Sequence, residues 1–117
     1  MNFGILGEAK IAREHVVPAI LNAGHKVTHV GRRNPGQAAL PEIYGNAIET
    51  DYETLINDPS VDAIYNPLPN HLHVPYSIEA LKAGKHVLCE KPAAMNVAEL
   101  KEVIAVANET GLIFMEA

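Results

Sequence analysis

Residues 3–12 read Phe-Gly-Ile-Leu-Gly-Glu-Ala-Lys-Ile-Ala, and this stretch decides the fold. An apolar run at residues 3–6 predicts a buried strand, and apolar residues at helical spacing over residues 10–23 predict a helix. The turn between them carries Gly7, Ala9 and Ala12. Glycine permits the backbone angles of a tight turn, and small residues let the chain approach a bound group and let the helix pack on a sheet. The stretch therefore predicts a strand–turn–helix unit of the dinucleotide-binding type.

The same turn offers backbone donors to an anion. The N–H groups in the first turn of a helix have no intrahelical acceptor, and the helix dipole favours negative charge there. We therefore expect the N–H groups of Lys10 and Ile11 to point at a pyrophosphate. Ala9 stands where such turns usually have a glycine, which would set the cofactor slightly further out. The alternative is an ordinary turn made of small residues.

Beyond this unit, strand-like and helix-like segments alternate to the end of the chain. The expected strands are residues 3–6, 26–30, 47–48, 63–65, 86–90 and 112–115. The expected helices are residues 10–23 with a break near His15 caused by Pro18, a poorly defined one at 35–43, one running from a capping box at Thr50 to residue 56, and two more at 71–83 and 96–107. Strands joined by helices predict an α/β fold with a doubly wound, Rossmann-type parallel sheet of order 3-2-1-4-5-6.

Composition narrows the class of protein. The chain has 117 residues, with 14 acidic and 9 basic side chains and a formal net charge of −5. This length suits a single domain, residues 1–117, and the acidic balance argues against a nucleic-acid-binding protein. The single cysteine, Cys89, cannot form an internal disulfide, and no signal peptide or membrane-spanning run is present. We therefore expect a cytoplasmic protein without membrane or nucleic-acid partners.

The end of the second strand bears on the cofactor. An acid at this point selects NAD, whereas an arginine accommodates a 2′-phosphate. Here the segment carries Gly31, Arg32 and Arg33 and no acid. Gly31 leaves room and two guanidinium groups can hold a phosphate, so NADP(H) is favoured over NAD(H). The alternative is that both arginines are solvated loop charges.

The loops after strands four and five complete the expected site. In the first loop, Leu68, Asn70 and His73 are candidates for cofactor contacts under the nicotinamide ribose, with Asn70 also able to cap the next helix. In the second loop, Lys91 can orient and polarise a substrate hydroxyl, and Glu90 can hold the ammonium group. The alternatives are a surface ion pair for the second loop and, for His71 with His73, a poor metal site, so no metal is expected.

The sequence resembles the Gfo/Idh/MocA family of oxidoreductases over its whole length. The matching segments are residues 4–12, Asp62-Ala-Ile-Tyr, Pro69-Asn-His-Leu-His and Ala83-Gly-Lys-His-Val-Leu-Cys-Glu-Lys-Pro. The resemblance implies an NAD(P)-dependent dehydrogenase or reductase acting on a sugar, a polyol or a related carbonyl compound. It also implies that Lys91 contacts the nicotinamide ribose and substrate as a catalytic residue, and that the bond before Pro92 is cis.

The resemblance further implies a second α/β domain that supplies most of the substrate pocket and commonly forms a homo-oligomer interface, and no such domain is present in these 117 residues. We therefore expect the cofactor-binding part of an enzyme, able to bind cofactor and poor at turnover alone. The alternative is a stand-alone NADPH-binding or sensing module without chemistry. A flavodoxin-like domain is a further alternative, but it does not call for Glu-Lys-Pro after strand five.

Overall fold

The computed structural model describes residues 1–117. The strands are β1 (Asn2–Leu6), β2 (Lys26–Gly31), β3 (Ile48–Thr50), β4 (Ala63–Asn66), β5 (His86–Cys89) and β6 (Phe114–Glu116). The α-helices are α1 (Val17–Asn22), α2 (Tyr52–Asn57), α3 (His73–Lys82) and α4 (Val97–Thr110). Single turns of other helix types occur at Ala12–Val16 (π), Glu42–Tyr44 (3₁₀) and Asn70–Leu72 (3₁₀).

All six strands form one parallel sheet of order β3-β2-β1-β4-β5-β6, which confirms the predicted topology. β1 and β4 are the central strands, and Ile5 in the middle of β1 pairs with Val30 on one side and Tyr65 on the other. The order reverses between β1 and β4, the place where open α/β sheets bind ligands.

Apolar side chains cover both faces of the sheet. Leu6 and Ile64 belong to a core that also contains residues of α2, α3 and α4, whereas their neighbours Ile5 and Tyr65 belong to a core with residues of α1. Successive residues of a strand point to opposite faces, so the two cores lie on opposite sides of the sheet. The sheet is therefore doubly wound, as expected.

The first helix is interrupted as its proline predicts. Residues Ala12–Val16 form a π-helical turn, and α1 starts at Val17 with Pro18 in its first turn. Proline lacks the N–H that would continue the i→i−4 ladder, so the helix changes its hydrogen-bonding pattern just before it.

Three local predictions are wrong. Residues 35–41 contain no helix, since Gly36 has a φ of 84° and Pro41 is extended, and only the 3₁₀ turn that follows them is helical. Asp51 rather than Thr50 caps α2, because Thr50 is still paired in β3 and the Asp51 carboxylate accepts a hydrogen bond from Thr54 N at 2.7 Å. Asn70 forms no side-chain cap, because a 3₁₀ turn starts at Asn70 itself and separates it from α3.

The last helix begins as predicted, after Asn96, and runs to Thr110, three residues beyond its expected end. Asn96 Oδ1 accepts a hydrogen bond from Glu99 N at 2.9 Å, and the Glu99 carboxylate accepts one from Met95 N at 3.0 Å. Gly111, with a φ of 70°, ends α4 in the left-handed conformation. None of the helices is both long and apolar enough to cross a lipid bilayer.

Candidate functional site

The residues singled out from the sequence meet at the carboxyl-terminal edge of the sheet. Gly7 N donates a hydrogen bond to Gly31 O at 2.7 Å, and Glu90 N donates one to Asn66 O at 3.0 Å. These bonds hold the first residues of the loops after β1 and β5 beside the last residues of β2 and β4. Because parallel strands end at the same edge, the four loops lie side by side there.

The glycine turn after β1 is built for close approach. Gly7 has a φ of 77°, and a Cβ atom placed on it would stand 3.2 Å from Leu68 Cδ2 and 3.8 Å from the Tyr52 hydroxyl. The N–H groups of Lys10 and Ile11 find no acceptor within the chain. The positive φ and the close approach of Leu68 account for glycine at position 7, and the free N–H groups are donors that a dinucleotide pyrophosphate could accept from.

Arg32, in contrast, already has partners in the chain. Its guanidinium donates to the Glu8 carboxylate, to Glu49 Oε2 at 3.1 Å and to the carbonyl oxygen of Ala38. The side chain is only 12% exposed, and the hydrogen bond with Glu8 raises the pKa of Arg32 above its ordinary value. The alternative of a fully solvated loop charge therefore does not hold for Arg32.

Arg33 is exposed and has no hydrogen-bonding partner in the chain. Together with Arg32 it lines an open cleft of about 400 Å³ between the ends of β2 and the start of α3. Tyr52 and Tyr76 form the apolar part of this cleft, with their rings edge-to-face at 5.4 Å. Sequence analysis missed both tyrosines, because each looks like an ordinary apolar residue of a helix.

Position 31 requires a glycine for a different reason from the one expected, which was space for a phosphate. A Cβ atom there would stand 2.9 Å from Tyr52 Cδ1 and 3.3 Å from Leu55 Cδ1. The missing side chain thus admits the packing of α2 against the end of β2, and the space is filled by a tyrosine ring of the chain itself. Gly31 shapes the cleft indirectly, by letting Tyr52 approach.

The loop after β4 is held by a buried amide. Asn66 is fully buried, its Nδ2 donates to His73 O at 3.0 Å and to Ser77 Oγ at 3.2 Å, and its Oδ1 accepts from Leu68 N at 3.2 Å. Leu68 is 7% exposed and packs against the glycine turn, whereas Asn70 is exposed at the rim. Of the predicted loop residues, Leu68 and Asn70 therefore reach the edge where a cofactor would lie.

His73 joins the loops after β4 and β5. It is 1% exposed, and its ring nitrogens lie 2.6 Å from Leu68 O and 2.7 Å from Pro92 O. Neither nitrogen is left to ligate a metal ion together with His71. The side chain thus lies beneath the two loops and fixes their backbones relative to each other.

The segment after β5 differs from expectation at Glu90. Its carboxylate accepts a hydrogen bond from the Tyr65 hydroxyl at 2.7 Å and makes no ion pair with Lys91. Burial, assisted by this bond, raises the pKa of Tyr65. Lys91 is exposed at the edge of the sheet, and the bond between it and Pro92 is cis, as the resemblance implied.

Cys89 is a structural residue. It is fully buried at the end of β5, and burial raises the pKa of its thiol to about 11. A thiol in that state is not a nucleophile at neutral pH.

Known proteins match the chain along its whole length. The model of the Gfo/Idh/MocA family, described as an oxidoreductase family with an NAD-binding Rossmann fold, matches residues 1–117. An uncharacterized oxidoreductase of Rhizobium meliloti is 42% identical and covers 100% of this chain, and the chain spans 36% of it. D-Xylose 1-dehydrogenase (NADP(+)) 2 of Haloferax volcanii is 37% identical over 100% of this chain and 37% of its own length.

A solved structure shows the same fold. KijD10, a 3-ketoreductase from Actinomadura kijaniata in complex with NADP and TDP-benzene, superposes with a TM-score of 0.92 at 35% identity. The match covers 99% of this chain and 36% of that protein, so the chain spans about a third of the length of its relatives. With the sheet order, the glycine turn and the family match in agreement, the chain belongs to the Gfo/Idh/MocA family of oxidoreductases and forms an NAD(P)-binding Rossmann domain.

Proposed function

We propose that the chain is the N-terminal, NADP(H)-binding domain of an oxidoreductase that transfers hydride to or from a sugar, a polyol or a related carbonyl compound. The observation that carries this proposal is the convergence, at one edge of the sheet, of the glycine turn, the two arginines and Lys91. Ligands of doubly wound sheets bind at that edge, beside the point where the strand order reverses.

The proposed cofactor site has three parts. The pyrophosphate lies against Gly7 and Ala9, with the N–H groups of Lys10 and Ile11 as donors. The adenosine occupies the cleft beside Tyr52, and its 2′-phosphate is held there by Arg33, with Arg32 next to it. Leu68, which packs against Gly7, and the exposed Asn70 would contact the nicotinamide ribose.

Lys91 is the proposed catalytic residue. The nicotinamide supplies or accepts the hydride when it is bound. The Lys91 ammonium donates a hydrogen bond to the substrate oxygen, which orients the reacting carbon and stabilises negative charge that develops on the oxygen. Two contacts hold the loop that carries Lys91. The Tyr65 hydroxyl binds Glu90, and the His73 ring contacts the Pro92 carbonyl oxygen.

The names of the relatives support the substrate class and the cofactor. KijD10 was solved with NADP and TDP-benzene, and the xylose dehydrogenase is named for NADP(+). For the whole protein we propose a sugar-type substrate, a homo-oligomer and a cytoplasmic location. The isolated domain is expected to bind cofactor and to turn over substrate poorly.

A nucleotide titration tests the proposal. The chain is titrated with NADPH and NADH at matched low salt while nicotinamide fluorescence is followed. NADPH should bind more tightly than NADH. Arg33→Ala should lower the affinity for NADPH by about tenfold or more, because a charge-assisted hydrogen bond contributes about 1.5–3 kcal/mol. Arg32→Ala should also weaken NADPH, whereas Lys101→Ala, which removes an exposed cation on α4, should change neither affinity. Equal binding of both nucleotides with no effect of Arg33→Ala would contradict the NADP(H) proposal.

A further inference from the structure

Two carboxylates bind the Arg32 guanidinium at the end of β2. Glu8 lies in the glycine turn and Glu49 lies in β3, and each accepts a hydrogen bond from the guanidinium. Their side chains are 22% and 20% exposed, and neither lines the cleft that Arg32 and Arg33 share. The two carboxylates therefore do not contact the part of a nucleotide that lies in this cleft. They affect its binding through their negative charge and through Arg32.

These carboxylates neutralise the positive charge at the end of β2. Arg13 also lies near Glu8, with its Nη1 3.8 Å from the carboxylate and 3.4 Å from Glu8 O. The cluster thus contains two guanidinium groups and two carboxylates, and its formal charges cancel. Arg33 makes no ion pair, and it shares the cleft with Asp51 and Glu53, two further acids that line it.

We propose that Glu8 and Glu49 are specificity-determining residues that limit the preference of this chain for NADP(H) over NAD(H). The inference rests on the proposed NADP(H) site. A 2′-phosphate carries nearly two negative charges at neutral pH, and beside Arg33 it has only Arg32, whose charge is already compensated by Glu8 and Glu49. NADH has a neutral hydroxyl at the same position, so the two carboxylates oppose NADPH selectively.

The size of the effect follows from Coulomb's law. One unit charge acting on a doubly charged phosphate about 6 Å away changes affinity by about tenfold even at the dielectric constant of water. Glutamine keeps an oxygen that accepts the hydrogen bond from Arg32 and removes only the charge. Glu8→Gln and Glu49→Gln should therefore each raise the ratio of the NADH to the NADPH dissociation constant by about tenfold.

The experiment measures this ratio for the wild-type chain, the two variants and Glu102→Gln as a control. Glu102 is an exposed acid on α4, so its replacement makes the same change in net charge far from the cleft. Titrations are done at about 20 mM salt, where screening is weak. The ratio is used because Glu8 also lies beside the pyrophosphate turn, and any effect on the part common to both nucleotides cancels. Thermal unfolding of each variant checks that it is folded. If one of the two variants does not fold, the other still tests the inference.

The inference is upheld by a ratio raised about tenfold in both variants and unchanged within twofold in Glu102→Gln. It is overturned, with the proposed function intact, if the wild-type chain prefers NADPH and both variants leave the ratio unchanged or lower it. A lowered ratio would mean that the carboxylates orient Arg32 for the phosphate. A wild-type chain that binds neither nucleotide, or that prefers NADH, would instead refute the NADP(H) site itself.

Discussion

Replacing His73 by phenylalanine tests whether this side chain holds the two site loops together. Phenylalanine keeps a ring of similar size but has no ring nitrogen, so the contacts at 2.6 Å to Leu68 O and 2.7 Å to Pro92 O are lost, and with them the one hydrogen bond that a neutral imidazole donates. A buried polar group left without a hydrogen bond costs about 1–3 kcal/mol, and of these two carbonyls only that of Leu68 is in a fully buried bond. We expect the free energy of unfolding to fall by about 1–3 kcal/mol.

Urea unfolding measures this loss, with His71→Phe as the matched control. His71 is exposed and makes no hydrogen bond through its side chain, so its replacement should change the free energy of unfolding by less than about 0.5 kcal/mol. Hydrogen exchange adds a local measurement. In His73→Phe the amides of Leu68, Asn70 and residues 93–95 should exchange faster under native conditions, while those of residues 36–39 in the loop after β2 should not change. A stability within about 0.5 kcal/mol of wild type, with unchanged exchange in both loops, would refute the reasoning.

Three further predictions concern buried or capping groups. Lys85→Met should lower the free energy of unfolding by about 2–3 kcal/mol in urea titrations, because the buried ammonium donates to the carbonyl oxygens of Asp58 and Val61, the latter at 2.6 Å. Retained stability would show that water replaces the lysine. Cys89 should react with a disulfide reagent at pH 8 only after unfolding, since its pKa is raised to about 11, and fast reaction of the native chain would contradict this burial. The backbone hydrogen bond from Thr54 lowers the pKa of Asp51, so its stabilising effect is fully present above the unfolded-state pKa and is lost as the pH falls through the lower folded-state value. Unfolding midpoints at pH 7 and pH 3 should therefore differ less in Asp51→Asn, which can still cap α2, than in the wild type, and an equal difference would contradict the assignment.

Structural features that depend on a short segment of sequence were predictable. The apolar runs predicted six strands, and Gly7 has a positive φ in the turn where one was expected. The errors are also local. A poorly defined helix was expected over residues 35–43, but Gly36 has a φ of 84° and Pro41 has a ψ of 149° and no N–H, so a helix cannot run through either residue. The cap at Asp51 depended on whether Thr50 was still in a strand, and a three-residue strand has too little pattern to show its end.

The sequence by itself thus determined the order of the elements, the doubly wound sheet and the edge at which Gly7 and Lys91 lie, because periodicity and turn residues act over a few positions. Only the tertiary structure decided the partners of the site side chains. Arg32 meets Glu8 across 24 residues, Tyr65 meets Glu90 across 25, and His73 meets Pro92 across 19. Each of these contacts joins loops or strands that become neighbours only when a helical crossover returns the chain to the sheet, and no local pattern records which side chains then come within hydrogen-bonding distance.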